Sequence, residues 1–267
     1  MAVLLRRFFG RFVFSALTAA LFLGAGFISS TTSTANPGDL IRGQAFPAVY
    51  YLGADGLRYV FPNDKTYFTW YSDFHSVKWI TDVDLGKIQI GGNVTYKPGV
   101  KMAKINTDPK TYAVTEGGVL RWIESEDIAA DLYGGDWNTK IDDIPDAYFA
   151  NYVVGQPIDV ISDYVLNDVL SNTTDIGDDK NIVVPDVISI TGTTYSPIDV
   201  TISAGQSVRF VNDDTVQHTV TADDLSWGSG TLAAGAEFVH TFTTEGTYTF
   251  FDSYNSRLTG AVYVTSP

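Results

Sequence analysis

The stretch YSPIDVTISAGQSVRFVNDDTVQHTV, residues Tyr195–Val220, decides how the C-terminal part of the chain folds. Apolar and polar residues alternate in IDVTIS and again in SVRFVN, which is the pattern of a half-buried β-strand. Residues that favour turns separate these segments, AGQ between them and NDDT after the second. The stretch therefore predicts two short β-strands and no helix.

The same alternation continues to the C-terminus. The further strand-like segments are VISIT, HTVTA, FVHTF, TYTFF and AVYVT. So many short strands within about 80 residues predict a β-sandwich. The order of these motifs, with FFDSYNSRLTGAVYV as the last of them, resembles the cupredoxin family of the plastocyanin and amicyanin type over Val187–Val264. We therefore expect a cupredoxin-like Greek-key β-sandwich over residues 187–267.

The resemblance also implies where a copper site would lie. The family takes one His ligand after the N-x-D segment, and Cys, His and usually Met ligands from the last loop. On this chain the first His is His218, and the family spacing places the other three ligands at Asp252, Asn255 and Leu258. A carboxylate lacks the covalency of a thiolate, an amide is a weak neutral ligand, and leucine has no donor atom.

These degenerate positions lead us to expect no metal and no cofactor, with copper as the alternative. The chain has no cysteine, and neither His75 nor His240 lies in the loop. We expect a partly exposed hydrogen bond between His218 and Asp252 in place of the metal, contributing no more than about 1 kcal/mol. The length of the loop and Gly260 are then retained because they close one end of the sandwich.

Residues 1–35 have the pattern of an export signal. Arginines at positions 6, 7 and 11 precede an uncharged run of 17 residues, Phe12–Ile28, and small polar residues follow. The run is at the short limit for crossing a bilayer, so we expect cleavage near Ala35, with an uncleaved N-terminal anchor as the alternative. The protein is expected outside the cytoplasm, as a secreted, periplasmic or cell-surface protein.

The charge of the chain excludes several kinds of partner. Removal of residues 1–35 takes away three arginines and no acidic residue, which changes the formal net charge from −14 to −17. Nucleic acids and anionic membrane surfaces need a basic face, so we expect neither, and membrane contact only through an uncleaved N-terminal segment. The lack of cysteine excludes disulfides and thiolate nucleophiles.

Two segments of the N-terminal half resemble each other. They read PAVYYLGADGLRYVFPNDKTYFTWY from residue 47 and PKTYAVTEGGVLRWIESEDIAADLY from residue 109. Tyr50 lies 62 residues before Tyr112, whereas Arg58 lies 63 residues before Arg121, which predicts one inserted residue in the second turn. Each copy predicts a β-hairpin followed by a helix, a ββα unit of an internal duplication.

The duplication sets the expected domain boundaries. The helix of the first copy is expected to be capped by Asn63 and that of the second by Ser125. The module covers 36–158, with copies at about 37–98 and 99–158, and it resembles the tandem "VYxx-x-G-x-R-x-I" repeats of uncharacterised secreted bacterial surface proteins. Residues 159–186 are acidic and poor in aromatics, so we expect a linker with at most one short helix.

Other candidate sites are weaker. No G-x-S-x-G motif or other nucleophile context occurs, so we expect no catalytic residue and no enzyme. Paired aspartates occur at 142–143, 178–179, 213–214 and 223–224, and none fits a calcium loop. Solvated acidic turns are the favoured interpretation, with TTDIGDDKN, residues 173–181, as the best calcium candidate.

The N-terminal module is rich in aromatic residues that could form either a core or a sugar-binding platform. A core is favoured, and exposure of Trp70, Trp79, Trp122 or Trp137 would distinguish the two. The sequence thus predicts a non-catalytic binding or structural protein whose partner is an unknown protein or glycan at the cell surface. The alternatives are a metal-binding or electron-transfer protein of cupredoxin type and a glycan-binding adhesin.

Overall fold

The computed structural model describes residues 35–105 and 107–267. The expected export signal, residues 1–35, lies outside the described residues except for Ala35. Within the described ranges, no helix is both long and apolar enough to cross a membrane. The described chain is mainly β, with four sheets and short helices.

The strands of the N-terminal half are β1 (Leu40–Arg42), β2 (Tyr50–Leu52), β3 (Arg58–Val60), β4 (Lys78–Trp79), β5 (Ile90–Asn93), β6 (Met102–Ile105), β7 (Asp108–Thr115), β8 (Val119–Trp122), β9 (Ile141–Ile144) and β10 (Val153–Val154). Those of the C-terminal part are β11 (Asp186–Thr191), β12 (Thr194–Ser196), β13 (Asp199–Ser203), β14 (Ser207–Asn212), β15 (Thr221–Ala222), β16 (Glu237–Thr241), β17 (Gly246–Asp252) and β18 (Asn255–Thr265). The α-helices are α1 (Asp64–Trp70), α2 (Asp82–Lys87), α3 (Glu126–Tyr133), α4 (Asp146–Phe149), α5 (Leu166–Asn172) and α6 (Ile176–Asp179). Short 3₁₀ helices cover Glu116–Gly118, Trp137–Lys140 and Ile161–Asp163.

The two segments that the sequence predicts to be copies, which we call the first and the second copy, form two five-stranded sheets with the same topology. The first has the strand order β4-β1-β2-β3-β5 and the second has β9-β6-β7-β8-β10. In both, three antiparallel strands are flanked by parallel outer strands. The expected caps are present: the Asn63 side chain accepts a hydrogen bond from the Thr66 N–H, and Ser125 accepts one from Ile128.

The predicted insertion in the second turn is wrong. Tyr50 pairs with Val60, and Tyr112 pairs with Trp122, so both hairpins have the same length. Arg58 lies on the same face of its sheet as Tyr50, whereas Arg121 pairs with Ala113 and lies on the face opposite to Tyr112. A slip of one residue reverses the face of every side chain, so the matched arginines are not equivalent.

The predicted linker, residues 159–186, is also wrong. This segment contains a 3₁₀ helix, α5 and α6, and two of its large apolar residues, Tyr164 and Ile176, are buried. Tyr164 packs against Tyr133 and Met102 in the core of the second copy, and Ile176 packs into the core of the first. Each ββα unit is too small to cover its own helix-bearing face, and this segment covers both faces.

The C-terminal part is the expected β-sandwich. One sheet has the order β12-β11-β14-β16 and the other has β13-β18-β17-β15. Their inward-facing side chains form one core, in which Ile188, Phe210 and Phe250 are fully buried. The aromatic rings of Phe210 and Phe250 meet edge to face at 5.2 Å.

A glutamine covers the edge of the sandwich. The side-chain amide of Gln89 donates to the Val239 carbonyl and accepts from the Val239 N–H, both at 3.0 Å. Val239 lies on β16, an edge strand, and its side chain packs into the core of the first copy. Gln89 therefore pairs with the backbone N–H and carbonyl groups of Val239, which would otherwise be unpaired at the edge of the sheet.

Candidate functional site

The strand ends of the sandwich bring His218 and Asp252 together. His218 follows β14, and its backbone forms a two-way bridge with Leu232, at 3.1 and 2.8 Å. Asp252 is the last residue of β17, immediately before the two-residue turn that leads into β18. Both side chains are thus positioned by backbone that is itself hydrogen-bonded.

The imidazole ring of His218 lies between two carboxylates. Its Nδ1 atom is 2.8 Å from Asp252 Oδ2, and its Nε2 atom is 3.1 Å from Asp214 Oδ2. The contact expected between His218 and Asp252 is present, but the expected partial exposure is wrong, since His218 is 3% exposed and Asp252 0%. Sequence reasoning missed Asp214, which lies four residues before His218 in NDDTVQH.

The second oxygen of Asp252 is held by the loops around it. Its Oδ1 atom accepts from the N–H groups of Thr219 at 2.8 Å and Tyr254 at 3.0 Å, and from the Thr219 hydroxyl at 3.3 Å. A buried carboxylate is tolerated only when its oxygens are hydrogen-bonded, and here both are. Asp252 therefore ties the turn after β17 to the segment that carries His218.

The two carboxylates favour the charged form of the ring. Burial alone would lower the pKa of His218, but the hydrogen bonds to Asp252 and Asp214, together with their charges, outweigh it and raise this pKa above its usual value. The hydrogen bond from His218 in turn lowers the pKa of Asp214. Each ring nitrogen lies within hydrogen-bond distance of a carboxylate oxygen, so both are already engaged.

The two remaining positions of the degenerate copper site offer no suitable ligand. Leu258 is buried in the sandwich core, and the side-chain amide oxygen of Asn255 accepts a hydrogen bond from the Arg257 N–H at 3.4 Å. Together with Asp252 and a ring whose nitrogens are both engaged, this set of side chains does not fit a copper centre of cupredoxin type. Across residues 35–105 and 107–267, no group of three His, Cys, Asp or Glu side chains is arranged to hold a metal ion.

Gly260 has a steric role in the loop frame. A Cβ atom at this position would lie 2.5 Å from the Phe250 ring and 2.6 Å from the Ile198 carbonyl oxygen. Both distances are well inside van der Waals contact, so a larger residue would push β13 or β17 aside. The glycine is required by the packing of the sandwich, independently of any metal.

Comparison with known proteins identifies this part of the chain. Residues 170–264 match the family described as the cupredoxin-like domain. The C-terminal part of the chain is a cupredoxin-like domain. The match begins before Val187, within the segment that contains α5 and α6. A comparison with curated proteins finds no match.

Three solved structures are similar to the cupredoxin-like domain. A purple cupredoxin from Nitrosopumilus maritimus is 30% identical, over 30% of this chain and 99% of that chain, with a TM-score of 0.28. Amicyanin from Paracoccus versutus is 23% identical, over 30% of this chain and 81% of that chain, with a TM-score of 0.28. A copper-containing nitrite reductase from Thermus scotoductus SA-01 is 24% identical, over 31% of this chain, with a TM-score of 0.30. The chain spans 23% of the reductase.

The acidic residues of the best calcium candidate have structural roles. Asp175 and Asp178 form a capping box at the start of α6, in which each side chain accepts from the other residue's backbone N–H. Asp179 is buried, and accepts from the Gly117 N–H at 3.0 Å and from the Thr95 hydroxyl at 3.4 Å. The D-x-x-D spacing is that of a helix cap, so it does not indicate a calcium loop.

One of the four tryptophans that would mark a sugar platform is exposed. Trp79 is 54% exposed, and the guanidinium group of Arg42 lies 4.1 Å from the centre of its ring. Trp70, Trp122 and Trp137 are partly buried, and the Trp70 indole N–H donates to the Thr95 carbonyl. Most of these rings contribute to the cores of the two copies, as the sequence favours.

Proposed function

We propose that this is an exported, non-catalytic binding or structural protein whose cupredoxin-like domain carries no copper redox centre. The observation that supports this most is the Asp252 carboxylate. It stands at the position that the family resemblance gives to the copper thiolate, and it is hydrogen-bonded to His218 and to two backbone N–H groups. A carboxylate held in this way stabilises the end of the sandwich.

The same geometry supports a non-catalytic role. A histidine that acts as a general base needs a free ring nitrogen within reach of a nucleophile. Both nitrogens of His218 face carboxylates, and Thr219, the neighbouring hydroxyl residue, donates to Asp252. The pair can therefore hold two loops together but offers no site for proton abstraction.

Metal titration of the exported chain, from residue 36 onward, tests the proposal. We expect that neither copper nor zinc is retained after dialysis, and that the NMR signals of His218 do not change. One equivalent of copper retained with a shift of the His218 signals would contradict the proposal and favour the metal-binding alternative. A His218→Gln variant is the control, because metal that it still retains binds elsewhere.

A further inference from the structure

The first copy carries an open cleft between the loop that precedes β2 and the start of α1. We call it the aromatic groove; it has a volume of about 620 Å³. The residues that define it are Phe46, Pro47, Pro62, Asp64, Tyr67 and Phe74. The rings of Tyr67 and Phe74 stack with their centres 4.3 Å apart and form one wall.

The aromatic groove exposes large apolar side chains. Phe46 is 73% exposed and Phe74 is 50% exposed, and the equally exposed Phe68 packs edge to face on Phe74. Apolar surface of this size in water is unfavourable, and a cluster of it marks an interaction site more often than a single exposed residue does.

The second copy shows that the fold does not require these rings. Strand pairing and helix caps keep a constant spacing of 62 residues between the copies, from Tyr50 and Tyr112 to Asn63 and Ser125. The same spacing places Asp108 at the position of Phe46, and Ala130 at that of Phe68. The second copy has the same topology without an aromatic residue at either position.

The side chains of Asp82 and Arg42 hold the loop that carries Phe46 through hydrogen bonds to its backbone. One oxygen of Asp82 accepts from the N–H groups of Gln44 at 2.9 Å and Ala45 at 3.2 Å. The guanidinium group of Arg42, which lies over Trp79, donates to the Phe46 carbonyl at 3.4 Å. Phe46 is thus presented on an ordered loop, which lowers the entropy lost on binding.

The chemistry of the aromatic groove indicates its ligand. Its polar groups are largely engaged, since Asn63 caps α1 and the Tyr67 hydroxyl donates to the Asp73 carbonyl. A sugar would therefore find few hydrogen-bond partners. Asp64 is the one acidic residue among the described residues that line the groove, and no basic residue lines it. Aromatic walls beside prolines and one carboxylate suit an apolar, extended segment with a positive charge.

We propose that the aromatic groove binds an extended, proline-rich and basic segment of a second protein. The inference rests on the proposed binding function, for which the aromatic groove would be the binding site. The probe is a fluorescein-labelled peptide with one arginine next to alternating proline and leucine residues, titrated against the exported chain. We expect saturable binding that falls at least about tenfold when glutamate replaces the arginine of the peptide.

The Phe46→Asp variant is the decisive change, because it introduces the residue that the second copy has at this position. We expect it to weaken peptide binding at least about tenfold while circular dichroism is unchanged. Leu225→Asp, which removes an exposed leucine in the cupredoxin-like domain, is the matched control and should bind the peptide like the wild type.

Three results would overturn the proposal. They are no saturable binding of the arginine peptide, equal binding of the glutamate peptide, and binding that survives Phe46→Asp. A dimer in sedimentation that Phe46→Asp abolishes, without peptide binding, would instead assign the groove to a second copy of this chain. The metal titration reports on the cupredoxin-like domain, so its outcome is independent of the peptide experiment.

Discussion

The Nδ1 atom of His218 lies 2.8 Å from a carboxylate oxygen of Asp252, in a pair that is almost completely buried. The family resemblance assigns both positions to copper ligands. In this chain a hydrogen bond links the two loops that a coordination bond would link. The pair is therefore central to the stability of this end of the sandwich.

Asp252→Asn should lower the pKa of His218. The variant removes one of the two carboxylates that raise it, while the burial that lowers it remains. NMR titration of the His218 ring measures this shift. Asp214→Asn should cause a smaller fall, because its carboxylate is more exposed and farther from the ring. An unchanged pKa of His218 in Asp252→Asn would mean that the two residues do not interact.

The same variant should change how stability depends on pH. Because the pKa of His218 is raised in the folded protein, its protonation stabilises the fold. This stabilisation by protonated His218 is fully present below the pKa of about 6.5 that His has in the unfolded chain. It is lost as the pH rises through the pKa of His218 in the folded protein. Asp252→Asn should lose about 2 kcal/mol of unfolding free energy near pH 6, as expected for a buried pair. Denaturant titrations at several pH values would show this.

Replacing three residues should restore a copper centre. The triple variant Asp252→Cys, Asn255→His and Leu258→Met supplies the loop ligands that the resemblance implies, beside His218. We expect one equivalent of bound copper and an intense visible absorption from the copper–thiolate bond. Asp252→Cys alone is the control and should give no such absorption. Copper bound to the triple variant without this absorption would show that the loop does not have the frame of a copper cupredoxin.

Local patterns in the sequence predict the sandwich and the two helix caps, because period-2 alternation and Asn or Ser before a helix act over a few residues. The contact of His218 with Asp252 is implied by the resemblance to the cupredoxin family and not by a local pattern. The burial of that pair was not predictable, since it depends on how segments distant in the sequence pack around it. Asp214 had no comparable signal, because an i,i+4 spacing brings side chains together on a helix, and residues 213–217 form a loop.

The predicted linker failed for a different reason. An acidic composition suggests a solvated segment, but in residues 173–181 the acids serve a helix cap and a buried contact. Isolated apolar residues such as Tyr164 and Ile176 have no periodicity of their own, so their burial becomes evident only when the faces that they cover are known. The predicted insertion in the second hairpin was wrong because Arg58 was matched to Arg121 by residue type, without considering which face of the sheet each residue lies on.

Asp179→Asn should stabilise the protein above pH 6. Burial is the main cause that raises the pKa of Asp179 to about 6, so at neutral pH the fold holds a buried charge. In the wild type, the Asp179 carboxyl contributes most to the free energy of unfolding when it is neutral, below its unfolded pKa of about 4. This contribution is lost as the pH rises to about 6. The variant should gain up to about 3 kcal/mol at pH 7, measured by denaturant unfolding. Asp131→Asn, on the exposed face of α3, is the control and should have no effect.

Arg121→Lys should destabilise the second copy more than Arg58→Lys destabilises the first. The guanidinium group of Arg121 donates to the backbone carbonyls of Gln156, Pro157 and Asp163, and so holds the segment that carries Tyr164 onto the sheet. A lysine ammonium group cannot reach three carbonyls in this planar arrangement, so we expect a loss of about 2 kcal/mol in unfolding free energy.

Arg58 provides the matched control for this prediction. Its guanidinium group lies 4.8 Å from the centre of the Tyr50 ring, and its Nε atom has no hydrogen-bond partner. A lysine can keep most of that contact, so we expect Arg58→Lys to cost less than about 1 kcal/mol. Hydrogen exchange at the Ile158 and Tyr164 amides should accelerate only in Arg121→Lys. Equal effects of the two variants would mean that the alignment of the two arginines reflects a shared role, and that the carbonyl contacts of Arg121 contribute little to stability.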